Sequence, residues 1–230
     1  NVQDLLRSDE ILNSAINTKL GQAGIYQALS ANAITQHNFL EARDYASKAF
    51  AIGENKYVSS FLLFDANLEL GDYEMAEAYL ALQANKSTFD YLIRAAKLQD
   101  VYGDLDQAID LMEQAKDRVS DNEELYIWSI SNLADMYGHA GEIEKSYNAY
   151  LEVLAINPNH YHSLEGIAWV AFSHDKNTKA AKKILTYIQS RKQKPDLLLS
   201  LADIAEFEGE LEKATAYRKD FLMITSDAKY

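Results

Sequence analysis

Histidines are the residues of this chain best suited to binding a metal. His160 and His162 stand one residue apart in the segment "HYH", and His174 follows further along the chain. Imidazole nitrogens are common zinc ligands, but two histidines separated by one residue at a predicted helix entry are a weak metal signal. We therefore expect ordinary surface imidazoles and no bound metal.

Paired carboxylates could support acid–base catalysis. The adjacent Glu123 and Glu124, and the pair Glu206 and Glu208, occupy positions that we expect to be solvated, and their frequency follows from the acidic composition. The chain has no cysteine, and it contains no glycine-rich phosphate loop, serine nucleophile elbow or HExxH motif. The sequence thus predicts no catalytic residue, no cofactor and no enzymatic activity.

The composition indicates one architectural unit. The chain has 230 residues, of which 48% are hydrophobic, so it has enough apolar material for a continuous core. Its two prolines and nine glycines form no linker-like tract. Its apolar runs are far shorter than the roughly 20 residues that span a bilayer, so we expect a soluble chain without a membrane span.

The charge balance restricts the partners and the compartment. A net charge of -13 would repel a phosphate backbone, and we therefore expect no nucleic acid partner. The chain begins at Asn1 without a basic segment followed by an apolar one. If a leader has been removed, an exported protein, periplasmic or tethered to the cell surface, is slightly favoured over a cytoplasmic one.

A sequence repeat must position these residues. The phrase "GDYEMAEAY" from Gly71 returns in altered form as "GDLDQAIDL", "GEIEKSYNAY" and "GELEKATAY". Aligning the phrase defines a first column: His37, Gly71, Gly103, Gly141, Asp175 and Gly209. Five residues later a small residue recurs: Ala42, Ala76, Ala108, Ser146, Ala180 and Ala214. Separations of 32 to 38 residues indicate a tandem repeat.

Each repeat is predicted to be a helical hairpin. The glycine can end a first helix in the left-handed conformation, and Asp72 or Asp104 can then accept hydrogen bonds from the first amides of a second helix. The short connection makes the two helices fold back on each other, and the small residues allow close approach. Because one hairpin cannot bury both of its apolar faces, we expect neighbouring hairpins to stack as a solenoid.

The repeats resemble the tetratricopeptide repeat family. The first unit carries its pattern as Tyr26, Leu29, Ser30, Phe39, Ala42, Ala46 and Ala49, and the fourth as Leu133, Ala134, Tyr137, Gly141, Ile143, Tyr150 and Pro158. The resemblance covers about residues 22–226 and departs at unit five, where Asp175 and Asn177 replace the glycine and the larger residue, and at unit three, where aromatic residues are few.

The resemblance implies an all-α fold, a right-handed superhelical solenoid of about six antiparallel helix hairpins. The expected units are about 22–56, 57–87, 88–120, 124–159, 160–194 and 195–226. Residues 1–21 carry Leu12, Ala15, Ile16 and Leu20 at helical spacing, which predicts an N-terminal capping helix.

The resemblance also implies a concave groove in which the first helices hold a partner peptide. The residues at the corresponding positions are Phe61, Asp65, Lys97, Asp135, Glu165, Trp169, Phe172 and Asp203. The asparagine and lysine with which some members grip acidic C-termini are absent, and the carboxylates favour a basic or mixed partner instead. Trp169 and Phe172 fit an apolar anchor. In the alternative interpretation, Trp169 packs between hairpins and the carboxylates are only solvated.

A basic cluster in unit five leaves two further possibilities open. Its members are Lys176, Lys179, Lys182, Lys183, Arg191, Lys192 and Lys194. Such a run is commonly a solvated face, but it could also contact an acidic partner or the acidic groove of a second copy. The sequence therefore predicts a non-catalytic protein–protein interaction scaffold. The alternatives are a recruiting or regulatory domain of a larger enzyme or assembly, and a self-associating structural module.

Overall fold

The computed structural model describes residues 2–15, 21–192 and 194–227. The described residues form α-helices joined by short turns and no β-strand, which confirms the predicted all-α class. In chain order the helices are α1 (Val2–Ala15), α2 (Gln22–Thr35), α3 (Phe39–Ile52), α4 (Lys56–Glu69), α5 (Tyr73–Ala81), α6 (Phe89–Tyr102), α7 (Leu105–Arg118), α8 (Glu123–His139), α9 (Ile143–Ile156), α10 (Tyr161–Ser173), α11 (Thr178–Gln189), α12 (Asp196–Phe207) and α13 (Leu211–Asp227). None of these helices is long and apolar enough to cross a membrane.

The helices fall into two compact units, Asn1–Arg118 and Val119–Tyr230. In the first unit, α2 packs on α3, α4 on α5 and α6 on α7, as hairpins. Successive hairpins also touch, because α4 contacts both α2 and α3, and α6 contacts both α4 and α5. Phe64, Leu68, Leu80 and Leu98 form a core cluster where the second and third hairpins meet. Stacking therefore buries the apolar faces that each hairpin leaves uncovered.

The N-terminal helix α1 packs on α2. The amide of Asn32 on α2 donates a hydrogen bond to the hydroxyl of Ser8 on α1, at 3.1 Å. Of the four apolar residues expected to form a cap, Leu12 lies half-buried on α1 and Ala15 ends that helix. Ile16 and Leu20 lie outside the described residues, so the capping role stays a prediction.

The second unit repeats the same packing. Helices α8 and α9, α10 and α11, and α12 and α13 form hairpins, and α9 contacts α10 as α11 contacts α12. The Tyr150 ring of α9 lies directly on the backbone of α10 at Gly166, where an added Cβ would come closer than 3.0 Å to three ring atoms. Glycine is required at this position because any side chain would occupy the space of the buried ring.

Left-handed turns set the repeat register as the sequence predicts. Gly71, Gly103, Gly141 and Gly209 all have φ between 77° and 81°. The amide that follows each of them reaches back five residues along the chain, as the amide of Asp72 does to the carbonyl of Asn67 at 2.9 Å. This is the hydrogen bond expected at a helix that ends in a left-handed residue.

Unit five departs from the predicted register. Its left-handed residue is Lys176 with φ 53°, and not Asp175. The amide of Asn177 reaches back six residues, to Ala171, and its side chain caps α11 by accepting from the amide of Ala180. The buried small residue is consequently Ala181. The turn holds one extra residue, so the alignment that placed Asp175 and Ala180 in the columns was wrong by one position after α10.

Candidate functional site

Four of the predicted groove residues line one cavity in the second unit. The cavity lies between α10 and α12 and has a volume of about 240 Å³. Glu165, Trp169 and Phe172 reach it from α10, and Asp203 reaches it from α12. Ala168, Leu197, Ser200 and Ile204 form much of the remaining wall. The spacing along α10 places its three residues on one face because residues three and four apart are neighbours on a helix.

Trp169 has two environments. Its ring lies beside Gly138 of α8, where an added Cβ would stand 3.6 Å from it, and the residue nevertheless keeps 46% of its surface exposed. Phe172 makes an edge-to-face contact with Phe207, with the ring centroids 5.6 Å apart. Trp169 therefore packs between hairpins and also offers an apolar surface to the cavity, so the two interpretations of this residue are compatible.

The two predicted carboxylates at the cavity, Glu165 and Asp203, are already paired with cations of a neighbouring turn or helix. Lys194 donates to both oxygens of Glu165, at 2.6 and 2.8 Å. Arg218 donates to Asp203 at 3.2 Å. Ion pairs lower the free negative charge along this surface. The cations of the chain itself therefore compensate part of the negative charge that the sequence suggested for this surface.

Asp135 is the centre of a three-helix hydrogen-bond network. Its carboxylate accepts from the hydroxyl of Tyr150 on α9 and lies 2.8 Å from Nε2 of His162 on α10. The hydrogen bond to Asp135 raises the pKa of His162, and burial raises the pKa of Tyr150. The network links α8, α9 and α10 and favours the protonated imidazolium at this position.

The first histidine of "HYH", His160, has a structural role. Nδ1 of His160 lies 2.9 Å from the hydroxyl of Ser163 and accepts from its amide at the start of α10. Burial lowers the pKa of His160. Among the described residues, no group of three or more histidine, aspartate or glutamate side chains could hold a metal ion. Both imidazoles of "HYH" have protein partners, Ser163 for His160 and Asp135 for His162.

The carboxylate pairs considered for acid–base chemistry lie beside cations or in solvent. Arg218 donates to Glu206, and Lys182 donates to Glu208 at 2.5 Å. The bond from Lys182 lowers the pKa of Glu208, whereas a general acid needs a raised one. Glu123 and Glu124 lie exposed in the first turn of α8, a favourable place for negative charge.

In the first unit the predicted residues Phe61 and Asp65 lie beside Arg94 of α6. The guanidinium contacts Asp65 at 2.6 Å and stands 4.4 Å from the centre of the Phe61 ring. The Arg94 side chain is only 15% exposed, so this cluster joins α4 to α6 as part of the hairpin packing. Lys97 lies exposed on α6, one turn beyond Arg94.

A larger cavity in the first unit was not predicted. It has a volume of about 660 Å³ and is lined mainly by Phe50, Tyr57, Phe61, Leu82, Gln83 and Asn85. It opens where α5 ends at Ala81, because α5 has 9 residues whereas α3 and α7 have 14 each. The side-chain amide of Gln83 donates to the hydroxyl of Ser60 at 2.5 Å, and this bond holds the segment after α5 against α4.

Comparison with solved structures identifies the fold. A tetratricopeptide repeat protein from Parabacteroides merdae superimposes with a TM-score of 0.69 at 17% identity, over 95% of this chain and 86% of that one. The chain has the tetratricopeptide-repeat fold. PilW, a type IV pilus biogenesis factor, matches with a TM-score of 0.70 at 13% identity, over 91% of this chain and 96% of that one. Cut9, in its hetero-tetramer with Hcn1, matches with a TM-score of 0.73 at 12% identity, over 97% of this chain and 44% of that one. No protein-family model and no curated protein matches the sequence.

All eight predicted contact residues lie on first helices of the tetratricopeptide repeats. Phe61 and Asp65 are on α4, Lys97 on α6, Asp135 on α8, Glu165, Trp169 and Phe172 on α10, and Asp203 on α12. The structure brings four of them to the cavity of the second unit and two to Arg94, while Asp135 joins the network with Tyr150 and His162.

The pairing of the predicted carboxylates with cations of the next repeat was not predicted from the sequence. Asp65 and Arg94 are 29 residues apart, as are Glu165 and Lys194, and 27 residues separate Asp135 from His162. These separations are a few residues less than one repeat, which places each cation beside the carboxylate of the preceding repeat. A search for opposite charges at this separation would have found the pairs.

Proposed function

We propose that the chain is a non-catalytic scaffold that binds a partner polypeptide on the first helices of its tetratricopeptide repeats. The observation that carries the proposal is the cavity of the second unit, where Trp169 and Phe172 stand beside the carboxylates of Glu165 and Asp203. Exposed aromatic residues flanked by polar groups are typical of the residues that dominate protein–protein binding energy.

The size of this cavity favours a single side chain of the partner. Its volume of about 240 Å³ lies below the roughly 300–1,000 Å³ of pockets that enclose small molecules. A large apolar side chain would cover the exposed face of Trp169, and its burial would supply the main favourable term. The repeat helices are already packed, so binding requires little ordering of the scaffold.

The charges beside the cavity favour a basic or mixed partner over an acidic one. The side chain of Asp203 is 63% exposed, and its ion pair with Arg218 is exposed as well. Exposed ion pairs of this kind are weak. A lysine or arginine of the partner can therefore replace Arg218 beside Asp203, next to the apolar residue in the cavity.

Two of the structural neighbours are consistent with a role in binding another protein. Cut9 forms a hetero-tetramer with Hcn1, and PilW is a pilus biogenesis factor. Identities of 12–13% establish a shared fold and leave the partner of this chain to be found by experiment. Export to the periplasm or the cell surface stays a prediction of the sequence, as does the absence of a nucleic acid partner.

A peptide-display experiment tests this proposal. Peptides selected on the wild-type chain from a random library would be labelled, and their affinities for variants measured by fluorescence anisotropy. We expect Trp169→Ala to weaken binding by about 30-fold or more, as for a hot-spot residue, and Phe172→Ala to weaken it less. Leu151→Ala on α9 removes an apolar residue that is similarly exposed and serves as the matched control. If the selected peptides bind Trp169→Ala as tightly as the wild type, this cavity is not the binding site.

A further inference from the structure

One outward helix face of the second unit carries a row of positive charge. Lys176, Lys179, Lys183, Tyr187 and Arg191 follow one another at intervals of three or four residues, along α11 and the turns at its ends. This spacing places them on one side of the helix. The buried residues of α11, Ala181, Leu185 and Ile188, are on the opposite side, so the row faces solvent. We name these five residues the basic row.

Most of the charge of the basic row is uncompensated. Lys179 and Lys183 are exposed and form no ion pair with any residue that the structure describes. Arg191 stacks on the Tyr187 ring, with 4.9 Å from the guanidinium carbon to the ring centre. Of the other lysines in this segment, Lys182 and Lys194 are paired with carboxylates. Residues 176–194 contain seven lysines and arginines and no aspartate or glutamate, in a chain of net charge -13.

Helix α7 of the first unit carries the opposite row. Asp106, Asp110, Glu113 and Asp117 follow at intervals of four, three and four residues, and we name these four residues the acidic row. Three of the four buried residues of α7, Ala108, Met112 and Ala115, lie on its other side. Asp106 and Asp110 are exposed and form no ion pair with a described residue, and Asp117 has only a 4.0 Å contact with the adjacent Lys116.

The part of the basic row from Lys179 to Arg191 matches the acidic row in length. Eleven residues separate Asp106 from Asp117, and twelve separate Lys179 from Arg191. The second helices α3, α9 and α13 carry both signs near one another, as the pairs Lys48–Asp44, Lys145–Glu142 and Lys213–Glu210 show. The carboxylates predicted to form an acidic groove already have cations of this chain beside them. The acidic row therefore complements the basic row better than the groove does.

We propose that copies of this chain associate head to tail, with the basic row of one copy lying against the acidic row of the next. Because the two rows are different surfaces, a copy that contributes its basic row to one contact can contribute its acidic row to another. Neither row lines the cavity assigned to the partner polypeptide, and the proposal does not depend on that assignment.

The proposed contact has a distinctive salt dependence. At about 0.01 M salt the Debye length is roughly 30 Å, and the net charge of -13 makes whole copies repel one another. At about 0.1 M it is roughly 10 Å, which screens the distant charges while the adjacent rows still attract. At about 1 M it is roughly 3 Å, and the rows are screened too. We expect association to be strongest near 0.1 M and to weaken on either side.

Sedimentation velocity of charge-reversed variants of the full chain tests the contact. In 0.1 M salt, K179E/K183E and D106K/D110K should each sediment as monomers at a concentration where the wild type forms larger species. An equimolar mixture of the two variants should associate again, because each supplies an intact row that the other has lost. The variants K86E/K219E and E54K/E74K change the net charge by the same amounts at exposed positions outside the rows and should associate as the wild type does.

The outcomes are decisive. A wild type that stays monomeric at all three salt concentrations overturns the proposal, as does a mixture that associates no better than its components. If the wild type is monomeric but binds poly-glutamate through Lys179 and Lys183, the basic row serves a foreign acidic polypeptide and not a second copy. Circular dichroism of each variant establishes that it is folded.

Discussion

Replacing Gly166 by alanine is the substitution to which the packing of the second unit should respond most strongly. In most helices this change is stabilising, by about 0.5–1 kcal/mol, because alanine loses less backbone entropy on folding. Here the added methyl group would occupy the place of the Tyr150 ring, which is 4% exposed. The ring cannot move outward without losing the hydrogen bond from its hydroxyl to Asp135.

The magnitude follows from these contacts. Overpacking a close-packed site costs about 1–3 kcal/mol, and losing a hydrogen bond to a charged group costs about 1.5–3 kcal/mol. After the gain in helix propensity is subtracted, we expect Gly166→Ala to lower the free energy of unfolding by about 1.5–5.5 kcal/mol. Gly24→Ala on α2 is the matched control, because a Cβ there meets nothing within 4 Å and the change should be neutral or stabilising.

Urea unfolding with two probes measures the effect. Trp128 and Trp169 both lie in the second unit, so tryptophan fluorescence reports on that unit, while circular dichroism follows all the helices. Leucine is shorter than tyrosine, so Tyr150→Leu makes room beside Gly166. In this background Gly166→Ala should lower the free energy of unfolding by less than half of its effect in the wild type. An unchanged fluorescence midpoint for Gly166→Ala, or an equal cost in both backgrounds, would refute the proposed contact.

Three further predictions follow from the hydrogen bonds and turns. His162→Gln should lower the free energy of unfolding most below pH 6.5. The pKa of His162 is raised in the folded chain, so its ion pair with Asp135 stabilises fully below pH 6.5 and loses this contribution as pH rises through the raised pKa. Urea unfolding between pH 5 and 9 should show the free energies of unfolding of variant and wild type approaching each other as pH rises. In the left-handed turns, Lys176→Gly should stabilise by up to about 1 kcal/mol and Gly209→Ala should destabilise by about 1 kcal/mol, measured by thermal unfolding. Asp65→Asn should lower the free energy of unfolding by about 1–3 kcal/mol, because it leaves the largely buried Arg94 without its closest carboxylate. Asp203→Asn removes one partner of an exposed pair and should lower the free energy of unfolding by less than about 1 kcal/mol.

The repeat register was predictable from sequence where glycine marks the turn. Gly71 and Gly209 adopt left-handed conformations that other residues rarely take, so the positions of these glycines indicate where the first helices end. In unit five the left-handed residue is Lys176, which carries no such signal, and the turn is one residue longer. The left-handed residues Gly141, Lys176 and Gly209 are 35 and 33 residues apart, so two equal steps of 34 residues fit the same glycines and hide the extra residue.

The site was predictable only as a set of positions. The repeat placed Trp169 and Asp203 on first helices, but their surroundings depend on residues of neighbouring repeats. Arg218, for example, reaches Asp203 from the second helix of the same hairpin. The cavity of the first unit arises because α5 stops at Ala81, and no glycine or proline marks that end. Helix length is set here by tertiary packing and not by local signals.

The most direct test of the proposed function is the fluorescence of Trp169 during peptide binding. Trp128→Phe would leave Trp169 as the only tryptophan of the chain. Titration with a peptide selected on the wild type should shift its emission to shorter wavelength, because the exposed face of the indole becomes buried, and should saturate at the Kd found by anisotropy. Binding that leaves the emission of Trp169 unchanged would contradict the account and would place the partner elsewhere on the scaffold.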